Sequence, residues 1–222
     1  FVRADDGYNP MTTVAVIDYG MGNIRSVSKA LEYVGGDAQI EVSYDPERIL
    51  HADHVVFPGV GALRDCMSEL QRLELDDVIR ECARTRPFLG ICLGMQALME
   101  FSEENGGTPG LGVIPGRTVL FPGATAGAEP LKIPHMGWNR VHQARAHALW
   151  EGIPQDSYFY FVHSYYIEPR DAAVVAATTD YGVSFAAALA RGNIFAVQFH
   201  PEKSQQAGLK LLANFLAWDG GI

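Results

Sequence analysis

Pro87-Phe88-Leu89-Gly90-Ile91-Cys92-Leu93-Gly94-Met95-Gln96 is the stretch on which the reading of this chain turns. Phe88 to Ile91 is a short apolar run of the kind that forms a buried strand. Cys92 follows between two glycines, and Leu93 to Phe101 has helical character. Gly-x-Cys-x-Gly is the cysteine counterpart of the nucleophile elbow, in which the nucleophile sits on a sharp strand-to-helix turn. A residue on such a turn has a strained backbone, and side chains two positions to either side would collide. Gly90 and Gly94 have none. The amides opening the following helix face the sulfur and favour its thiolate, the attacking form. The same ten residues also fit a plain strand-turn-helix around a buried structural cysteine, so the chain on either side has to decide.

Upstream, Thr12 to Ile17 is a β-branched apolar run suited to a central parallel strand, and it ends in Asp18-Tyr19-Gly20-Met21-Gly22-Asn23. A helix is expected from Ile24 to Val34, a second strand over Gln39 to Ser43, and a third over Val55 to Phe57. Pro58-Gly59-Val60-Gly61-Ala62 comes next, then helical stretches over Leu63 to Leu70 and Leu75 to Thr85. This alternation predicts an α/β fold, a doubly wound, mostly parallel sheet flanked by helices. In such sheets the functional loops gather at the carboxyl ends of the strands, so the turns at 18–23, 58–61 and 90–94 should share one rim. The first turn does not satisfy Gly-x-Gly-x-x-Gly, which argues against a dinucleotide there.

Downstream, Asn105 to Ala128 is dense in glycine and proline and is expected to be irregular. Ile133 to Asn139 is read as a loop feeding a strand at 139–142. Strands over Arg117 to Phe121, Tyr158 to Val162, Val174 to Thr178, Ala186 to Ala190 and Ile194 to Phe199 give a β-rich second half, closed by a helix from Leu209 to Trp218.

The 222 residues are expected to form one domain over 11–222, with 1–10 a leader ahead of Met11. A net charge of −9 with no basic stripe argues against nucleic acid as a partner. No apolar run approaches the ~20 residues that span a bilayer, so no membrane association is expected. Cys66, Cys82 and Cys92 form no Cys-x-x-Cys pair, and the remaining histidines lack paired ligand spacing, so no metal site is expected and a cytoplasmic setting fits.

A thiol nucleophile needs a base, and the base an orienting group. Phe195-Ala196-Val197-Gln198-Phe199-His200-Pro201-Glu202 supplies both. An apolar strand delivers His200, and Glu202, two residues on, points to the same side in extended geometry and can hold the imidazole. Taken alone, His200 also reads as a satisfied histidine at a strand end. For an oxyanion hole, Leu93 offers one backbone N–H and Val60, between Gly59 and Gly61, a second. That loop also reads as an ordinary strand-to-helix turn.

Together PGVGA at 58–62, GICLGMQ at 90–96 and FHPEKS at 199–204 resemble the class I, triad-type glutamine amidotransferases over essentially all of Met11 to Trp218. DYGMGN at 18–23, PHMGWN at 134–139, FVHSYY at 161–166 and HPEKSQ at 200–205 are similar to the histidine-biosynthesis branch of that family. The resemblance implies hydrolysis of L-glutamine by Cys92, His200 and Glu202, with no cofactor. It implies glutamine binding by Gly59, Gly61, Gln96, Ser164 and Tyr165. It also implies a heterodimer with a (β/α)8-barrel cyclase subunit that consumes the ammonia, met by Asn23, Trp138, Tyr160 and Lys203. Class I glutaminases of other pathways and a Cys-His hydrolase of similar fold are the alternatives.

Overall fold

The computed structural model describes residues 11–123 and 131–221; the expected leader lies outside them, as does part of the glycine- and proline-rich passage. The first half runs β1 (Thr13–Ile17), α1 (Ile24–Val34), β2 (Gln39–Ser43), α2 (Pro46–His51), β3 (His54–Gly59), α3 (Leu63–Arg72), α4 (Asp76–Thr85), β4 (Phe88–Cys92) and α5 (Leu93–Ala97). The second half holds β5 (Phe101–Ser102), β6 (Thr108–Pro109), β7 (Gly116–Leu120), β8 (His135–Gln143), β9 (Ser157–His163), β10 (Tyr165–Pro169), β11 (Val175–Tyr181), β12 (Val183–Arg191), β13 (Ile194–Val197) and α6 (Gln205–Ala217).

Among the described residues the main sheet has the order β2-β1-β3-β4-β13-β12-β11-β8-β9. Its first five strands are parallel, and from β13 to β9 each pairing is antiparallel. β3 and β4 are buried along their whole length, as continuous apolar strands covered on both faces must be. One face packs against α1 and α6 through Val27, Leu31, Leu212 and Phe215. The other packs against α2, α3, α4 and α5 through Ile49, Leu70, Ile79 and Met95. A small second sheet, β10-β7-β5-β6, lies beside it.

Three local expectations are corrected. The helix expected to reach Phe101 stops at Ala97. The carbonyls of Ala97, Leu98 and Met99 instead accept bonds from Leu111, Ile114 and Gly112, so the 110–114 loop ends the helix. The expected loop at 133–139 is mostly strand, because β8 pairs with β9 from His135↔His163 to Val141↔Ser157. α2 was not anticipated, although Asp45-Pro46-Glu47 carries a start signal. The Asp45 side chain accepts from Glu47 N, and Pro46 takes the first turn.

Candidate active site

The turns after β1, β3 and β4 share one rim of the sheet, since these strands are adjacent and parallel. Cys92 ends β4 at φ +53, ψ −109, a conformation that costs a non-glycine residue roughly 1–3 kcal/mol. The glycines around it show what holds the turn. A Cβ on Gly94 would overlap Phe57 O and lie 3.0 Å from Phe57 C, so α5 rests directly on β3. A Cβ on Gly90 would meet Ala196 Cβ and Gly94 O, each at 3.2 Å. Gly94 is thus needed for contact with the neighbouring strand more than for clearance beside the thiol.

Gly59 pairs in register with Cys92. Its Cβ would overlap the Tyr19 hydroxyl and approach Leu93 Cβ to 2.9 Å. It is a buried residue at the end of β3, and its neighbours Val60 and Gly61 line the cavity that the cysteine faces. Gly61, at φ +94, is the glycine of this loop whose backbone requires the residue type.

β13 lies next to β4 and carries the chain into His200. The histidine is 1% exposed. Its Nδ1 donates to Glu202 Oε1 at 2.8 Å, while Nε2 and Glu202 Oε2 have no hydrogen-bond partner. Burial opposes charge on the ring, but the negative charge of Cys92 outweighs it, with the hydrogen bond and charge of Glu202 adding to that. The imidazole is pushed up to about 10. The backbone is pinned as well: His200 N donates to Tyr160 O at 2.9 Å, and Ser204 Oγ donates to His200 O at 2.6 Å.

Cys92, 6% exposed, opens into a cavity of about 270 Å³. Val60, Gly61, Leu93 and Gln96 line one side, and Ser164 and Tyr165 another. Sequence reasoning missed further lining residues, among them Glu104, whose Oε2 accepts from Leu63 N at 2.8 Å and caps α3. The acidic pair Glu103-Glu104 ahead of two glycines was its available signal.

Behind the cavity the Tyr165 carbonyl accepts from His163 Nδ1 at 2.8 Å and Gln96 Nε2 at 3.1 Å. His163 Nε2 then accepts from His135 Nδ1 at 2.9 Å, and His135 Nε2 from Asn139 Nδ2 at 3.2 Å. Burial lowers His163 to about 3, with the Tyr165 carbonyl opposing and His135 and His200 assisting; burial alone lowers His135 to about 4. Both rings are therefore neutral at pH 7 and serve as oriented struts.

Of the residues expected to meet a partner, three stand together. Trp138, 45% exposed, meets Tyr160 edge-on with centroids 6.0 Å apart, and Lys203 Nζ lies 5.8 Å over the Tyr160 ring. Asn23 stands at the start of α1 beside Gly22, which packs near Gly59, and α1 itself packs against the 201–203 turn that carries Lys203.

The fold and this geometry together fit what a cysteine-dependent α/β enzyme of amide hydrolysis would need. The sequence matches the model of the glutamine amidotransferase class-I family over residues 15–218, and the chain belongs to that family. Among curated proteins it is similar to the imidazole glycerol phosphate synthase subunit HisH of Nitrosococcus oceani, 65% identical over 95% of this chain and 99% of that one. The protein of the same name from Methylococcus capsulatus is 63% identical over 94% and 98% of the two chains. In fold it resembles a glutamine amidotransferase of known crystal structure, with a TM-score of 0.68 at 18% identity, covering 92% of this chain and 99% of that one.

Proposed function

We propose that this chain uses Cys92, His200 and Glu202 to hydrolyse L-glutamine to glutamate and ammonia. It is the glutaminase subunit of imidazole glycerol phosphate synthase and serves histidine biosynthesis. The observation that carries the catalytic reading is the strained Cys92 beside an imidazole whose far nitrogen is held by a buried carboxylate. The thiolate attacks the side-chain amide carbon, and the oxyanion is received by the N–H groups of Leu93 and Val60. His200 gives its proton to the departing nitrogen as the C–N bond breaks. Water then attacks the glutamyl thioester, His200 takes its proton, and the electron pair of the C–S bond returns to sulfur. Glu202 keeps the ring oriented and supports its charge.

Glutamine is held by Gly61, Gln96, Ser164 and Tyr165. Ammonia protonated in water is lost as a nucleophile, which is why such a glutaminase works docked to its acceptor enzyme. That partner is a (β/α)8-barrel cyclase subunit, met by Trp138, Tyr160 and Lys203 with Asn23 at the edge of the contact, in the cytoplasm. No helix among the described residues is long and apolar enough to cross a membrane. The test is glutamate release by the chain alone, with the cyclase subunit, and with cyclase plus its phosphorylated substrate. Stimulation by the loaded cyclase is expected. Turnover unaffected by it, or a preference for peptides over glutamine, overturns the reading.

A further inference from the structure

Gln198 is wholly buried, yet neither the triad nor the pocket wall uses it. Val197 pairs with Ile91, so continuing the register brings the next residue of the β13 segment level with Cys92. Its backbone N–H is bound to Ala187 O at 2.9 Å, which fixes the segment. A buried primary amide needs partners at both ends, because each unsatisfied end costs roughly 1–3 kcal/mol. Here one end lies 3.0 Å from the Gln96 amide and the other 3.7 Å from Cys92 Sγ.

Oxygen and nitrogen of an amide are interchangeable by a flip, so the direction has to follow from the neighbours. The Tyr165 carbonyl settles it, since a carbonyl only accepts. The Gln96 atom facing it at 3.1 Å must be the NH2 group. The second hydrogen of that group points to Gln198, whose facing atom must then be its oxygen. The NH2 end of Gln198 is left against the sulfur. Flipping Gln198 would set nitrogen against nitrogen at one end and a carbonyl oxygen against the thiolate at the other.

We infer that Gln198 is a fixed N–H donor to the Cys92 sulfur, oriented through Gln96 by the Tyr165 carbonyl. The inference rests on Cys92 being the nucleophile and adds a group to its machinery. The difference from His200 is chemical. The imidazole proton leaves with ammonia, whereas an amide proton stays where it is. The sulfur keeps one donor throughout: it holds the thiolate before attack, and it receives the electron pair again when the C–S bond of the thioester breaks. Hydrogen bonds to charged acceptors are the strong ones, and the Gln198 end of this one is closed to solvent.

The test uses two variants of the full chain. Gln198→Met keeps approximate length and removes donor and acceptor. Gln198→Glu keeps shape and the acceptor for Gln96 but turns an oxygen to the sulfur. Alkylation of Cys92 by iodoacetamide is followed across about pH 5 to 9, the modified site being read by peptide mass. Cys66 and Cys82 do not compete, because burial pushes their thiols up to about 12 and about 11. The midpoint of the rate profile is expected to rise by about one pH unit in both variants, with kcat for glutamine in the cyclase complex falling about tenfold or more. A role in packing alone lowers the melting temperature and leaves the midpoint in place, and that result overturns the inference. If Gln198→Met does not fold by near-ultraviolet circular dichroism, Gln198→Glu carries the test with the same criterion. Glutaminase activity persisting in Cys92→Ala would overturn the nucleophile assignment instead, and the alkylation profile separates the two failures.

Discussion

Replacing Gly94 with alanine is the sharpest mechanical test of the elbow. The added carbon would overlap Phe57 O and sit 3.0 Å from Phe57 C, both backbone atoms in the middle of β3. β3 is bonded to β1 on one side and β4 on the other, so the strand has nowhere to retreat. α5 must instead lift off the sheet by roughly an ångström, taking the Leu93 N–H and the Cys92 backbone with it. Overpacking costs about 1–3 kcal/mol where flexible side chains adjust, and a clash with backbone belongs at or beyond the upper end. Three kcal/mol lowers the melting temperature of a chain this size by roughly 6–12 °C. A displacement of about 1 Å at reacting atoms costs on the order of 10²-fold in rate. Thermal unfolding and glutaminase kcat in the cyclase complex would both be measured, beside Gly90→Ala, whose 3.2 Å contacts need shifts of only a few tenths of an ångström. Gly94→Ala is expected to suffer far more in both measurements. Equal effects of the two substitutions, or a Gly94→Ala enzyme near wild type, would refute the account of α5 seated on β3.

Cys92→Ala is expected to abolish glutamine hydrolysis while circular dichroism and cyclase binding by calorimetry stay near wild type; retained turnover would move the nucleophile elsewhere. Glu202→Gln is expected to lose less kcat than His200→Ala, because the carboxylate orients the ring through a single 2.8 Å bond whereas the ring moves the proton; equal or reversed losses at saturating glutamine would exchange the roles. The raised value of His200 also predicts a pH dependence of stability. Its contribution is complete below the unfolded value of 6.5 and is lost as pH rises towards the folded value of about 10. Melting temperature should therefore fall more steeply across that window in the wild type than in His200→Gln, and parallel curves would contradict the shift.

What could be read in the sequence was local. Gly90, Cys92 and Gly94 lie within five residues of one another, and the apolar runs on either side announce strand and helix. His200 and Glu202 were legible for the same reason. The strand at 135–143 was legible only in its second half, because glycine and proline around His135 speak for a loop, and pairing with the distant β9 makes that first half extended. α5 was overestimated because its stop is imposed by carbonyl acceptors filled from the 110–114 loop. Gln198 stood in plain view in Phe195 to Glu202 and received no role. Its partner Cys92 is 106 positions away, and its direction depends on a carbonyl from a third segment. Gly59 carries a requirement invisible in the sequence, since a side chain there would meet Tyr19 and Leu93.

The placement of β13 beside β4 has a consequence for the birth of the protein. The thiol is encoded at position 92 and its base at 200, so the ribosome delivers them 108 residues apart. At about 5–20 residues per second, the cysteine precedes its histidine by roughly 5–20 seconds. During that interval β1 to β4 can already assemble, yet the edge of β4 that will receive β13 is bare and the sulfur has neither imidazole nor amide beside it. Under the proposed mechanism, a chain that ends before His200 has no group beside the sulfur to protonate the departing nitrogen. Docking of β13 between β4 and β12 joins the two halves of the sheet and brings His200 N to the Tyr160 carbonyl.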